Sequence, residues 1–314
     1  MKLFTTTILL VTMIFLANAQ EKKINKSFSG VSEITLNTGS GDLTLEKGSG
    51  NSVNVTVTHT YDEDDYEAKM RMSGSKLIME EKFHASSMRG SSHWVIQMPD
   101  NIEFDFNTGS GDLEISDITI EMDGNSGSGD IDLTDVNGEF DMNTGSGDYV
   151  ISNLSGEFKV NTGSGDIKLE ESEGEFRGNT GSGDIKLSTV SGSCNMNTGS
   201  GDVRVEGLRI KEASKFNSGS GDVSVELGGE LNDDISVNSG SGDAVLDFNG
   251  NEIEGSITMK AKKNSGEIIA PFKFDKVEDI EEGNQTYVKK TVKLGNKDIE
   301  IYVGTGTGDA VIKE

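Results

Sequence analysis

Cysteine is nearly missing: Cys194 stands alone, so no internal disulfide staples this fold. Proline is scarce, with 2 residues, which excludes collagen and Pro-rich disorder despite 40 glycines. Aromatic residues make up 6% and all apolar residues 33%, too little for one large globular core. Positive charge is in deficit as well, with 28 Lys and Arg against 54 Asp and Glu, a net −26. A field of that sign repels phosphate backbones and anionic lipid, so nucleic acid is not an expected partner. The favoured reading is that the charge keeps an edge-rich β protein soluble and apart from its copies. Attraction of cations or basic surfaces is the alternative.

Long hydrophobic runs are lacking too. The longest, Ile8–Leu16, falls short of the roughly 20 residues that a membrane span needs, so no spanning segment is expected. Lys2, this run and Ala17-Asn18-Ala19 together read as a secretory signal with a small-residue cleavage site. Residues 1–19 are expected to be removed, leaving Gln20 first and the chain one charge unit more negative. No cysteine follows the cleavage site, so a lipoprotein anchor is not expected. The expected location is exported: periplasmic, or secreted and associated with the cell surface.

What the chain has instead is repetition. Gly-Ser-Gly-Asp recurs with its Asp at 42, 112, 130, 148, 166, 184, 202, 222 and 243. Asn107, Asn125, Asn143, Asn161, Asn179 and Asn197 precede it at intervals of 18, and Asn217 and Asn238 follow after 20 and 21. Asn264-Ser265-Gly266-Glu267 and Gly306-Thr307-Gly308-Asp309 are degenerate late copies. Within a repeat, Phe140 and Met142 alternate with polar residues, Thr144-Gly145-Ser146-Gly147 turns, and Tyr149 and Ile151 alternate again. That is the period of half-buried strands, and the three-and-four spacing of a helix is missing. Gly138, Gly156, Gly174 and Gly192 mark a second corner, where positive φ favours glycine. Two short strands and two corners make one coil of a β-solenoid. A lone coil buries too little to offset its ordering entropy, so coils must stack. About eleven coils would give a rod roughly 50 Å long. Cys194 falls where other repeats carry Phe140, Phe158 and Phe176, so it reads as a core substitute rather than a reactive thiol.

Residues 20–314 therefore read as a single all-β domain. Residues 51–100 form a strand insertion or cap, with strands at Val53–Val57, Lys76–Phe83 and Trp94–Met98, an acidic loop Tyr61–Glu67 and a Ser-rich loop Ala85–Ser92. Residues 101–250 are regular repeats, and 251–314 are divergent coils, as terminal repeats usually are.

The Asp column is the obvious chemical candidate. Asp112, Asp130, Asp148, Asp166, Asp184 and Asp202 would stand about 4.8 Å apart, close enough to recruit divalent cations such as calcium. The calcium-binding β-roll repeat, however, has its Asp two residues before an apolar residue, on the same face. Here Asp148 directly precedes Tyr149 and points away from the core. The favoured reading is that each Asp accepts backbone N–H bonds at its own turn, with Lys168, Lys186 and Arg204 partly neutralising the column. No resident cofactor is expected. His59, His84 and His93 sit in the insertion at spacings that match no zinc signature. The regular coils hold no local cluster that departs from the repeat, as a catalytic site would.

The repeated Gly-Ser-Gly-Asp followed by alternating apolar residues, Val95-Ile96-Gln97-Met98-Pro99, Ser265–Phe272, Val292–Gly295 and Gly308–Ile312 carry a resemblance. Across nearly the whole mature chain, the sequence resembles a bacterial family of proposed adhesins of unknown function, described by its β-strand repeats. That family is related to the head-domain autotransporter adhesins, themselves proposed ones. The resemblance implies a right-handed parallel β-solenoid in an envelope-associated protein and brings no catalytic residues.

The leading expectation is a non-enzymatic exported repeat protein that binds, or builds structure, in the cell envelope. Its partners would be surface glycans, envelope polymers or proteins. The alternatives are a carbohydrate-active enzyme using the insertion, with His59, His84 and Trp94 as the residues to mutate, and a cation-loaded structural rod.

Overall fold

The computed structural model describes residues 21–84 and 89–314; the signal segment lies outside the described residues. Among the described residues there are 29 strands and no helix. The N-terminal block holds β1 (Lys22–Ser29), β2 (Glu33–Thr38), β3 (Asp42–Lys47), β4 (Ser52–His59), β5 (Tyr66–Ser73), β6 (Lys76–Phe83) and β7 (Ser92–Met98). Longer and shorter strands then alternate: β8 (Glu103–Thr108), β9 (Leu113–Ser116), β10 (Thr119–Ser126), β11 (Ile131–Thr134), β12 (Asn137–Thr144), β13 (Tyr149–Ser152), β14 (Ser155–Thr162) and β15 (Ile167–Glu170). The series continues through β16 (Glu173–Thr180), β17 (Ile185–Ser188), β18 (Ser191–Thr198), β19 (Val203–Ile210), β20 (Ser214–Ser218), β21 (Val223–Leu227), β22 (Ile235–Ser239) and β23 (Ala244–Asp247). The C-terminal block holds β24 (Gly255–Lys262), β25 (Ile268–Ile269), β26 (Lys276–Glu282), β27 (Gln285–Leu294), β28 (Glu300–Thr305) and β29 (Ala310–Lys313).

From β8 to β21 each strand pairs in parallel with the one two places on, so the chain climbs as stacked coils with two parallel ladders. Phe140 faces Phe158 and then Phe176 in one ladder, and Tyr149 faces Ile167 and then Ile185 in the other. The repeat explains this register, because an interval of 18 residues returns every side chain to its own column.

Five columns of each regular coil point inward. Tyr149, Ile151, Phe158 and Val160 are at most 1% exposed. The fifth column, Ile118, Val136, Leu154, Ser172, Val190 and Leu208, fills the second corner and is apolar except at Ser172. Apolar periodicity within the strands did not reveal it. The corner itself is turned by Asp117, Asp135, Asn153, Glu171 and Thr189, all with φ between 49° and 56°. Gly138, Gly156, Gly174 and Gly192 follow at φ 132–152°, as the glycine column required. Cys194 lies buried opposite Phe176, and burial pushes its thiol up to about 12. Where a coil lacks a core side chain, a neighbour fills the space. A Cβ on Gly124 would come within 2.4 Å of the Met142 side chain, and one on Gly178 within 2.8 Å of Met196 Sδ.

The stacking order departs from chain order at both ends. The insertion folds back so that β6 and β7 lie outside β2 and β3, which themselves pair with β8 and β9. Antiparallel β5, β4 and β1 then cover this end. Sequence reading carried the acidic loop Tyr61–Glu67 two residues too far; β5 begins at Tyr66, just after the run Asp62–Asp65. At the far end, β28 sits between β22 and β24, and β29 between β23 and β25. Both late motif copies are thus real coils, but the last one in sequence is inserted before the other. Antiparallel β27 and β26 extend the ladder beyond β24.

Candidate functional site

Every residue of the Asn-(Thr/Ser)-Gly-Ser-Gly-Asp turn has an assignable place. The asparagine amides form a ladder: Asn161 Nδ2 donates to Asn143 Oδ1 at 2.9 Å, and Asn179 to Asn161 at 2.9 Å. The buried threonine hydroxyl bridges two coils. Thr162 Oγ1 accepts from Gly165 N at 3.0 Å and donates to Gly147 O at 3.1 Å. The second glycine permits close approach, since a Cβ on Gly147 would lie 1.9 Å from Gly129 O. The serine between the glycines is exposed at the tip, as at Ser128, Ser146, Ser164 and Ser182.

The aspartates correct one expectation. They do not tie their own turns; each Oδ1 accepts the backbone N–H of the Asp in the next coil. Asp166 N donates to Asp148 Oδ1 at 2.8 Å and Asp184 N to Asp166 Oδ1 at 2.7 Å, and the series runs from Asp42 to Glu267. The cause is a gap in the backbone ladder. The Asp carbonyl accepts from the preceding coil, as Asp166 O does from Tyr149 N–H, but the Asp N–H meets no carbonyl there. The carboxylate closes that gap with a charge-assisted bond. Among the described residues, no group of three or more His, Cys, Asp or Glu is arranged to hold a metal ion. Asp112, Asp130, Asp148, Asp166 and Asp184 remain exposed on their outer sides, and Asp202 is half-buried.

The outward face beside this column changes character along the stack. Its next column reads Glu114, Asp132, Val150, Lys168, Lys186 and Arg204 in register. A shallow groove of about 480 Å³ over Asp112, Glu114, Asp130 and Asp132 is wholly acidic apart from His93 and neutral neighbours. The next groove, about 310 Å³, sets Asp148 to Asp202 beside Lys168, Lys186 and Arg204, with Val150 40% exposed. Neutralisation of the Asp column by these cations is partial. Arg204 approaches Asp202 at 3.7 Å, whereas Lys168 pairs with Glu170 at 3.0 Å. On the other sheet, Glu139, Glu157 and Glu175 stack, and the hydrogen bond and charge of Glu175 raise the Glu157 carboxyl above its usual range.

At the N-terminal end a carboxylate organises the insertion. Glu81 Oε1 accepts from Tyr66 Oη at 3.0 Å, Trp94 Nε1 at 3.1 Å and Ser92 Oγ, while Oε2 accepts from Gly39 N at 2.9 Å. Sequence reasoning did not single out Glu81. Its signal was parity, since Leu77, Met79, Glu81 and Phe83 alternate on one face of β6. His59 is buried beside Tyr66, with ring centroids 4.6 Å apart, and its Nδ1 has no partner among the described residues. Burial first, and then the Lys22 charge, lower its pKa. The three histidines do not converge. His59 points inward, His93 points outward to Thr44 Oγ1 at 2.8 Å, and His84 is an exposed residue whose N–H binds Asp65 O. Trp94 is wholly buried.

Residues 31–254 match the family model described as Toastrack DUF4097. Among solved structures, the chain is similar to a proposed adhesin from Parabacteroides distasonis, at 14% identity over 94% of this chain and 98% of that one, TM-score 0.44. It is also similar to a proposed lipid-binding protein from the same species, at 18% identity over 94% and 98%, TM-score 0.41. A third likeness, at 14% identity over 94% and 99%, TM-score 0.22, is to a proposed cell adhesion protein from Clostridium sporogenes. No curated protein matches the chain.

Proposed function

The chain belongs to the Toastrack DUF4097 family, and from that premise we propose a non-enzymatic, exported, adhesin-like protein that binds polymers of the cell envelope. In this reading residues 1–19 are a signal, and 20–314 are a single domain of about eleven right-handed coils. The supporting observation is the division of labour within the motif. Asn, Thr, Gly and Asp are consumed in joining coils, which leaves the Ser tips and the Glu114-to-Arg204 column to meet a partner. Those outward groups repeat at one-coil intervals, about 4.8 Å. Such a face suits a linear polymer, which offers its own groups at regular intervals, better than a small molecule. A carbohydrate-active enzyme in the insertion is the weaker reading, because Trp94 is buried against Glu81 and His59 and His93 face opposite sides.

The test is cell fractionation, followed by a pull-down of residues 20–314 with isolated envelope polymers. Retention in the envelope fraction and binding that falls in the triple variant Lys168→Ser, Lys186→Ser, Arg204→Ser support the proposal. A cytoplasmic location, or no binding to any envelope polymer, would overturn it.

A further inference from the structure

The outward face of β24, β26, β27 and β28 curls into a recess of about 390 Å³ at the C-terminal end of the stack. Here the repeat is broken in a particular way. The position that holds Asn238 in the neighbouring coil is Gly304 in β28, so the asparagine ladder stops. The exchange makes room for an aromatic ring: a Cβ on Gly304 would lie 2.3 Å from Tyr302 Oη. Tyr302 therefore lies along its strand as one wall of the recess, opposite Ile280. Lys260 Nζ is fixed by both Glu282 oxygens, at 3.1 and 2.9 Å, and lies 4.7 Å from the Tyr287 ring centroid.

Other groups facing the recess are uncommitted. Among the described residues, the side chains of Ser256, Thr258 and Glu300 make no hydrogen bond within the chain, and Lys289 reaches only Glu278, at 3.9 Å. The lining holds two lysines and two glutamates, so formal charge balances locally in a protein of net −26. An anion or a cation gains no net attraction there. A polyhydroxylated ring gains more, because each hydroxyl both donates and accepts, and its C–H face packs on Tyr302 and Ile280. The volume lies within the ordinary range for small-ligand pockets, about 300–1,000 Å³.

We propose that this recess binds one uncharged sugar unit of a glycan. The inference deepens the envelope-polymer reading and rests on it for the source of the sugar, but its chemistry is tested separately. The experiment is saturation-transfer NMR on residues 20–314 with the methyl glycosides of a neutral hexose, an N-acetylhexosamine and a hexuronate. Thr258→Trp fills the recess from a strand position that faces outward, Tyr302→Ala removes the wall, and Tyr302→Phe keeps it. The expected result is transfer to the neutral sugars, at least about tenfold weaker binding in the first two variants, and retention in Tyr302→Phe. No transfer to any glycoside, or transfer that survives both disruptive variants with their melting temperatures intact, would overturn the assignment. If the wild-type protein binds glycosides but no polymer, the polymer reading fails and the recess stands. Polymer binding without glycoside transfer gives the reverse.

Discussion

Asp148 and Asp166, 18 residues apart in sequence, are joined by a side chain meeting a backbone: Asp148 Oδ1 accepts the Asp166 N–H at 2.8 Å. The exposed carboxylate is therefore part of the inter-coil ladder. Replacing Asp148 by Ala should leave that N–H without its acceptor and cost about 1–2 kcal/mol. Asp148→Asn keeps an acceptor oxygen and should cost less. Thermal melts of the two variants check the order, and equal melting temperatures for wild type and Asp148→Ala would contradict it.

Glycine acts in two separable ways. Gly147→Ala places a methyl group 1.9 Å from Gly129 O, which only a backbone shift relieves, so a loss above about 3 kcal/mol is expected. Gly74 has φ +66° and open space around its Cβ position, so Gly74→Ala should cost about 1 kcal/mol from conformation alone. Chemical denaturation of both variants reads the difference.

Thr189 holds φ 56°, a conformation that its branched Cβ disfavours. At the same corner of another coil, Asn153 adopts φ 55° and donates to Asp135 Oδ1 at 2.9 Å. Thr189→Asn should stabilise the protein by about 1 kcal/mol, seen as a raised denaturation midpoint.

His59 should make the N-terminal end sensitive to acid. Its folded pKa lies below the ordinary 6.5, so above that value both folded and unfolded forms are neutral and nothing is lost. As pH falls below 6.5 the unfolded form takes up the proton first, and stability declines until the folded pKa is reached. Lys22 opposes the charged ring, while Glu63 and Glu81 favour it less strongly. Hydrogen exchange of β4 and β7 at pH 7 and pH 5 should show faster opening at pH 5, with the difference reduced in His59→Gln.

Cys194 is buried and its thiol is raised to about 12, so alkylation should be negligible in the native protein and rapid in denaturant. Intact-mass measurement after iodoacetamide treatment gives the answer directly.

The coil was legible because its period and parity are local properties. Eighteen residues separate like positions, and alternation placed Phe140, Met142, Tyr149 and Ile151 inward, where they are. Cys194 could be assigned to the core for the same reason. What stayed hidden depends on neighbours in space. The partner of Asp148 belongs to the next coil, and no pattern within one turn points to it. Glu171 and Thr189 are poor turn formers, held at positive φ by the coils on either side. Glu81 could have been found by parity, but its four donors come from β5, β7 and the Gly39 turn. The recess around Tyr302 required knowing that β28 lies beside β24.

That placement of β28 and β29 also bears on how the molecule reaches its finished form. The segment from Glu300 to Lys313 follows β24 and β25 in sequence, yet it is sandwiched between them and β22–β23. Growth by laying each new coil on the last must therefore halt at Asp247. From there, the final segment must be in place before β24 and β25 can close over it. Strands β28 and β29 act as a keystone: β24 and β25, which precede them in sequence, complete that end of the stack only after β28 and β29 have docked on β22 and β23.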